Sequence, residues 1–341
     1  MAVTIKEIAQ VCHVSRGTVD RVLNHRKGVK KETKELVEKT AEMLGYRPNT
    51  TAKALAARKK NYAIGVIINS EGIEFYQEVL KGINQAIKEK EDYGIQVLIQ
   101  TMKGYSIEKQ LNAIEKMSEK VQFLILNGIN DEKVAEKIRY LKSRKIPTLT
   151  LNADVENSQR LCYVGCDYEK SGKTAAGMMK LLTQKTAKIG IATGSIKILG
   201  HNQRVHGFMK LCKKKYPDME IVDIIETNDD DECAYEQTKK MLLQYPQITS
   251  LYIVAAGTEG VCRAVQDLQR KEDIFIVSSD NTYSVKEWMK KGLIKATICQ
   301  QPWTQGYQAI IIAMEYLGKG IIPNENYIIK NEIKISENIE D

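Results

Sequence analysis

The sequence predicts two kinds of structure in succession: an all-α segment at the N-terminus, then an α/β module of two doubly wound, parallel-sheet subdomains. Two observations predict this. The chain has 341 residues, more than one average domain needs. The first 60 residues carry apolar side chains at helical spacing, and from residue 62 onward short apolar runs alternate with amphipathic stretches of helix length.

The α/β prediction depends on nine apolar runs separated by stretches long enough for helices. Such alternation favours right-handed βαβ units and parallel sheets. About 280 residues of this pattern exceed the usual core of one sheet, so two subdomains are expected. Ligands of these sheets bind at the carboxyl ends of the strands, which predicts a cleft between the subdomains. The predicted strands are residues 63–68, 95–100, 123–126, 147–151, 187–192, 220–226, 251–254, 274–277 and 296–299.

The positive charge of the chain is confined to its beginning. The first 60 residues hold 14 Lys and Arg against six Asp and Glu, which equals the whole net charge of +8. This asymmetry indicates a polyanion as the partner of this segment.

Cysteine usage and the N-terminus indicate a cytoplasmic protein. The seven cysteines are scattered, with no CxxC pair, and we interpret them as reduced thiols. No apolar run reaches the roughly 20 residues of a membrane helix, and the start has no signal-peptide pattern. We expect no metal site and no cofactor; His201 and His206 have no acidic partner placed for zinc.

The N-terminal segment has the signals of a helix-turn-helix. Thr4 and Glu7 form a capping-box pattern that opens a first helix. Ser15 is placed to cap a second helix, with Val19, Val22 and Leu23 facing inward. A third helix is predicted over residues 31–44, with Leu36, Val37, Thr40, Ala41 and Leu44 in register. In this geometry the second helix enters the major groove of DNA.

These residues also resemble a known family. V-T-I-K-E-I-A at 3–9, V-S-x-x-T-V-x-R-V-L-N at 14–24 and L-G-Y-R-P-N at 44–49 look like the lactose-repressor (LacI/GalR) family of transcription regulators. The resemblance implies that Arg16, Gly17 and Arg21 occupy base-reading positions. It implies that Ser15, Thr18 and Asn24 bond phosphates, and that Thr4 and Asn49 also belong to the DNA-binding set.

Two positions leave the DNA code open. Arg16 suits a guanine, whereas Gly17 has no side chain with which to read a base. Asp20 stands where the family usually has a small hydroxyl residue. It is either repelled by the phosphates or accepts a hydrogen bond from a cytosine amine.

Residues 47–60 are interpreted as a hinge. Residues 50–57 are alanine-rich but too short to form a stable helix alone. In the family this segment becomes a helix on DNA, and paired copies push a leucine into the minor groove. Leu55 matches that leucine, and Lys53 matches a groove-facing position. The alternative is a plain linker, for which Gly/Ser or Pro composition would be expected.

The α/β module carries F-Y at 75–76 after its first predicted strand, N-Q-R-x-x-G-F at 202–208, V-S-S-D at 277–280 and A-T-I-C-Q at 296–300. With these residues it resembles the ribose-binding type of periplasmic sugar receptor, which implies a periplasmic-binding-protein-like (type I) fold. The resemblance implies a ligand site of carboxylate, guanidinium and aromatic groups, which suit a sugar or polyol. At Asn152-Ala153 the chain departs from the Asp-Arg pair that is frequent in the family, and lacks its arginine. The expected ligand residues are Phe75, Tyr76, Asn152, Arg204, Asp280 and Gln300.

Together these predictions describe a sequence-specific transcriptional regulator, expected to be a repressor and not an enzyme, whose ligand controls its affinity for DNA. We expect a homodimer on a pseudo-palindromic double-stranded operator, because one headpiece reads only a half-site. The alternatives are a solute-binding receptor for a transporter and a regulator that senses a noncarbohydrate ligand. The predicted domains are residues 1–46 (headpiece), 47–60 (hinge) and 61–341 (sensor), with subdomains at about 61–164 plus 295–322 and 165–294 plus 323–341.

Overall fold

A computed structural model describes residues 3–23, 28–46, 61–69, 71–183 and 186–339. Three helices form the N-terminal headpiece: α1 (Ile5–Val11), α2 (Arg16–Leu23) and α3 (Lys31–Met43). Their shared core contains Ile8, Val19, Val22 and Val37. The helix-turn-helix prediction is therefore confirmed.

Polar caps fix where the first two helices begin. The Thr4 hydroxyl accepts from the backbone N–H of Glu7, whose carboxylate accepts from the Thr4 N–H at 2.7 Å. The Ser15 hydroxyl accepts from the backbone N–H of Thr18 at 3.0 Å. His13, at φ 51°, makes the tight turn between these helices. Both predicted caps are confirmed.

The third helix has a narrower apolar face than expected. Leu36 and Leu44 were predicted to face inward, but they are 49% and 37% exposed. That prediction was wrong, because Leu36 lies about 100° around the helix from the buried Val37.

The α/β module contains twelve strands in two six-stranded sheets within the described ranges. The strand orders are β11-β5-β4-β3-β1-β2 and β12-β10-β9-β8-β6-β7, and neighbouring strands pair in parallel except β10 and β12, which are antiparallel. The strands are β1 (Ala63–Ile68), β2 (Gln96–Thr101), β3 (Phe123–Leu126), β4 (Thr148–Leu151), β5 (Cys162–Cys166), β6 (Ala187–Thr193), β7 (Met219–Glu226), β8 (Ser250–Ile253), β9 (Phe275–Ser279), β10 (Ile294–Cys299), β11 (Asn326–Ile329) and β12 (Glu332–Lys334).

Helices cover the faces of both sheets, as the alternating pattern predicted. Those of the first lobe are α4 (Phe75–Glu89), α5 (Ile107–Ser118), α6 (Glu132–Ser143) and α12 (Pro302–Lys319). Those of the second lobe are α7 (Tyr168–Thr183), α8 (Leu199–Lys215), α9 (Asp231–Gln244), α10 (Thr258–Asp267) and α11 (Tyr283–Lys290). None of the helices in the described ranges has the length and apolar character needed to cross a bilayer.

The subdomain boundaries predicted after residue 294 were wrong. Strand β10 was assigned to the first subdomain, but it pairs in parallel with β9 of the second sheet, to which the short α11 connects it. Strand β11 was assigned to the second subdomain, but it pairs in parallel with β5 of the first. The chain therefore crosses between the lobes three times: after β5, after β10 and after β11.

Two close helix crossings depend on glycine. A Cβ atom at Gly172 of α7 would overlap the carbonyl oxygen of Arg204 on α8, and one at Gly207 of α8 would overlap that of Glu169. Likewise, a Cβ atom at Gly82 of α4 would overlap the carbonyl oxygen of Trp303 on α12, and one at Gly306 of α12 would overlap that of Val79 on α4. In both lobes the backbones can approach this closely only because no side chain intervenes.

We predict that Gly172→Ala destabilises the protein by about 1–3 kcal/mol, because the new methyl group must push α8 away from α7. Gly177→Ala is the matched control. It changes the same helix where an added Cβ would meet no atom within 4 Å, so we expect no loss and up to about 1 kcal/mol of gain. Urea unfolding of both variants measures the difference. Equal stabilities would show that the crossing tolerates the methyl group.

Candidate ligand-binding cavity and DNA-contacting surface

A cavity of about 90 Å³ lies between the two lobes, at the carboxyl ends of their strands. This is where the sheet topology places a ligand site. All six residues expected to contact a ligand line it: Phe75, Tyr76, Asn152, Arg204, Asp280 and Gln300.

The ends of strands and the starts of helices position these side chains. Asn152 and Asp280 directly follow β4 and β9, with φ angles of 63° and 73°. Asn and Asp adopt this left-handed conformation more readily than other non-glycine residues, and such strain is concentrated at functional sites. Phe75 and Tyr76 open α4, and their rings meet edge to face at 5.2 Å.

A buried hydrogen-bond network joins the lobes behind the cavity. The Asn152 amide accepts from the Tyr76 hydroxyl at 3.2 Å and donates to the Tyr168 hydroxyl at 2.8 Å and to Gln300 Oε1 at 3.0 Å. Gln300 Nε2 in turn donates to Asp280 Oδ1 at 2.8 Å. The Asn152 amide is thus bonded within the cavity wall, where it orients its neighbours.

Arg204 is the most deeply buried charged group of the site, with 2% of its surface exposed. It lies on helix α8. Its Nη1 donates to the Val254 carbonyl at 2.7 Å, and its guanidinium lies 4.8 Å from the ring centre of Tyr168. Within the part of the chain that the structure describes, Nε and Nη2 have no hydrogen-bond partner. Buried donors of this kind are costly unless a ligand satisfies them.

Asp280 is the counter-ion of Arg204, with 3.8 Å between its Oδ1 and Nη2. Burial raises the pKa of the Asp280 carboxyl, and the nearby Arg204 and the bond from Gln300 offset this only in part. Asp280 therefore depends on these two partners for its charge.

Three cavity residues absent from the sequence prediction connect the lobes at the rim. The Tyr105 hydroxyl donates to the Asp229 carboxylate. The Glu74 carboxylate accepts from the backbone N–H of Tyr283 at 2.5 Å and from the Ser284 hydroxyl at 3.2 Å. Tyr105 and Asp229 follow β2 and β7, so the rule of carboxyl strand ends could have found them; nothing in the sequence marks Glu74.

His201 lines the same cavity as a neutral donor. Its Nδ1 accepts from the Ser195 N–H at 3.0 Å, which leaves the ring proton on Nε2. Burial lowers the pKa of His201, and the neighbouring Asp229 compensates only in part.

The expected DNA-contacting residues within the described ranges lie at the surface of the headpiece. Arg16, Gly17 and Arg21 are exposed along α2. The hydroxyls of Ser15 and Thr18 lie 2.9 Å apart at its start, and Thr4 is exposed before α1. Asn24, Asn49, Lys53 and Leu55 lie outside the described residues, as does the hinge.

Comparison with known proteins accounts for both parts of the chain. Residues 64–320 match the periplasmic binding protein domain, and residues 4–49 match the lacI family of bacterial regulatory proteins. The chain belongs to the lacI family. It is therefore a DNA-binding transcriptional regulator with a periplasmic-binding-protein-like sensor domain.

Relatives and solved structures agree with this assignment. Catabolite control protein A from Priestia megaterium is 29% identical over 83% of this chain and 83% of that protein. The ribose operon repressor from Haemophilus influenzae is 26% identical over 95% and 94%. The fold is similar to that of GanP, a glucose-galactose binding protein from Geobacillus stearothermophilus. The TM-score is 0.76 at 24% identity, covering 82% of this chain and 98% of that one.

We predict that Arg204→Met lowers the free energy of unfolding by about 3–5 kcal/mol, because it leaves the Asp280 carboxylate buried without its counter-ion. The deficit should shrink as the pH falls from about 7 to about 5. A carboxyl whose folded pKa is raised takes up its proton first in the folded state, which stabilises that state on acidification.

The double variant Arg204→Met, Asp280→Asn is the control, since it removes both charges and should recover much of the loss. Urea unfolding of the ligand-free proteins at both pH values measures this. A double variant no more stable than the single one would contradict the role given to the pair.

Proposed function

We propose that the chain is a homodimeric repressor that binds a pseudo-palindromic operator and is controlled by a sugar or polyol bound between its lobes. One observation carries the effector part. All six expected residues line one cavity, and two nitrogen atoms of the buried Arg204, Nε and Nη2, have no hydrogen-bond partner among the described residues.

The chemistry of the wall supports a polyol. Neighbouring hydroxyls can bond a carboxylate and a planar guanidinium at once, while Phe75 offers an apolar surface to C–H groups. The relative from Haemophilus influenzae is named a ribose operon repressor, and the structural neighbour GanP is described as a glucose-galactose binding protein. Since the relatives are regulators, we propose that the ligand is bound and released unchanged.

The headpiece supports the operator proposal. Arg16 and Arg21 are exposed on α2, and the hydroxyls of Ser15 and Thr18 lie together at its start. This supports the proposal that the arginines read base edges and that the hydroxyls bond phosphates. One such helix spans a half-site, so two copies and a two-fold repeat in the DNA are proposed. Because residues 4–49 match a family of bacterial regulatory proteins, whose DNA lies in the cytoplasm, we propose that the chain works there. The contacts of Asn24, Asn49, Lys53 and Leu55 remain predictions from the sequence.

Control of DNA binding is proposed to run through lobe closure. The Tyr105–Asp229 and Glu74–Tyr283 bonds hold the lobes together at the cavity rim. A ligand that favours this closed arrangement changes the spacing of the two hinges in a dimer. A ligand with different affinities for two states shifts their populations, whichever sign the response takes.

We predict that Arg16→Ala weakens binding to the preferred DNA site by about 1–3 kcal/mol and relaxes the choice of one base pair, because a paired contact to guanine is lost. The site is first obtained by selection from random duplexes with the wild-type protein. Arg263→Ala, which changes an arginine on α10 of the sensor, is the control and should leave the affinity unchanged. An Arg16→Ala protein that selects the same site equally tightly would contradict the assignment.

We predict that Arg204→Ala and Asp280→Ala each weaken effector binding at least about tenfold, because each removes one partner of charge-assisted bonds to a buried ligand. Calorimetry against a sugar and polyol panel measures the affinity, and operator binding with and without the sugar measures the coupling. Arg144→Ala, on the outer surface beside Tyr140, is the control. A sugar that binds both cavity variants as tightly as wild type is bound somewhere else.

A further inference from the structure

The cavity wall has more acidic than basic groups. Among the described residues that line it, the carboxyl groups belong to Glu74, Asp229, Asp231 and Asp280, whereas Arg204 is the one lysine or arginine. His201 adds no charge, since burial lowers its pKa. Burial also raises the pKa of Asp231, but without that residue the carboxylates still outnumber the guanidinium.

The four carboxyl groups differ in what compensates them. Asp280 pairs with Arg204 at 3.8 Å. Glu74 is held by two backbone N–H groups and a hydroxyl at the start of α11. Asp231 accepts from the Gly260 N–H at 3.3 Å. Each of these has a partner that already explains its position.

The remaining carboxyl group, that of Asp229, is half-buried in the cavity wall, and none of the described lysines or arginines pairs with it. Its Oδ1 accepts from the Ala256 N–H at 3.0 Å, and its Oδ2 accepts from the Tyr105 hydroxyl. It follows β7 with a φ of 57°, which turns this carboxylate out of the strand end where ligands of such sheets bind. Each of its oxygens can accept a further hydrogen bond.

A second, independent observation shows that the cavity is built for a ligand. Arg204 is 2% exposed, and its Nε and Nη2 have no hydrogen-bond partner. A wall that combines buried donors for an oxygen atom with a carboxylate that lacks a cation suits a molecule carrying hydroxyls and one positive group. Such a carboxylate attracts a cation more strongly inside a protein than in water.

We propose that the effector is a sugar or cyclitol bearing an ammonium group, which pairs with Asp229. This inference rests on the proposed function, since it names the ligand class of the same cavity. The excess of carboxylates disfavours sugar phosphates and uronates. Ala153, beside Asn152 in the wall, adds no compensating charge.

The test uses matched ligands and the full-length protein. Calorimetry is run with glucosamine against glucose, galactosamine against galactose, and aminocyclitols against the corresponding cyclitols, with the N-acetyl hexosamines as uncharged analogues. We expect wild type to bind at least one amine at least about tenfold more tightly than its neutral and N-acetyl counterparts. Glucuronate and glucose 6-phosphate should not compete with that amine.

Three variants separate charge from closure. Asp229→Asn keeps the size of the side chain, can still accept from the Ala256 N–H and can donate to the Tyr105 hydroxyl, and should abolish the preference for the amine. Tyr105→Phe removes the hydrogen bond to Asp229 between the lobes without changing the charge of the cavity. It should therefore weaken the binding of both the amine and its neutral counterpart, while the preference for the amine is kept. Glu220→Gln changes an exposed residue of β7 that is paired with Lys188, and it controls for the loss of one negative charge outside the cavity. It should change neither the affinity for the amine and its neutral counterpart nor the preference between them.

The outcomes distinguish this inference from the proposed function. If a neutral sugar binds wild type as tightly as its amine, or if Asp229→Asn keeps the preference, the inference is overturned and the sugar sensor stands. If none of the sugars and cyclitols, charged or neutral, binds wild type, the proposed effector class fails and this inference fails with it.

Discussion

The burial of one guanidinium group organises the second lobe of this regulator. Arg204 is 2% exposed, so its charge must be compensated by the groups around it. The Val254 carbonyl, the ring of Tyr168 and the Asp280 carboxylate come from a strand end, a helix and a second strand end. The backbone of α8 reaches this position only because α7 has a glycine, Gly172, against the Arg204 carbonyl. The position of Arg204 in the ligand site therefore depends on the close crossing of α7 and α8.

The same constraint extends into the first lobe through Gln300, which directly follows β10, just before the chain crosses between lobes. Its amide nitrogen bonds Asp280, and its amide oxygen accepts from Asn152 and Tyr168. The next residue, Gln301, has a φ of 53° and precedes α12 of the first lobe. A ligand that binds Asp280 is therefore separated by one hydrogen bond, from Gln300 to Asp280, from the segment that connects the two lobes. The angle between the lobes depends on the conformation of that segment.

Sequence patterns over a few residues predicted those parts of the fold that depend on interactions between residues close in the chain. The caps at Thr4 and Ser15 were read from neighbouring residues, and buried strands were read from apolar runs. Three strands were missed. Strands β11 and β12 are largely exposed, and their places in the sheets depend on pairing with distant strands. Strand β5 is buried, but its five-residue run includes Gly165, which weakens a strand pattern. In the site, family resemblance selected residues at strand ends, whereas Glu74 and its partner Tyr283 are 209 residues apart and meet only after the lobes close.

The free-energy cost of the buried donors that lack hydrogen-bond partners in the cavity is also large enough to drive regulation. A buried donor without a partner costs about 1–3 kcal/mol, and Arg204 has two such atoms when the lobes are closed without a ligand. Opening the lobes admits water to these groups, so the ligand-free protein gains less from closure than the bound one. The resulting difference in ligand affinity between open and closed states is comparable to the about 1–3 kcal/mol of coupling typical of allosteric proteins. Because these donors are incompletely hydrogen-bonded by the protein, binding of the ligand can determine the angle between the lobes. That angle in turn sets the position of the paired headpieces.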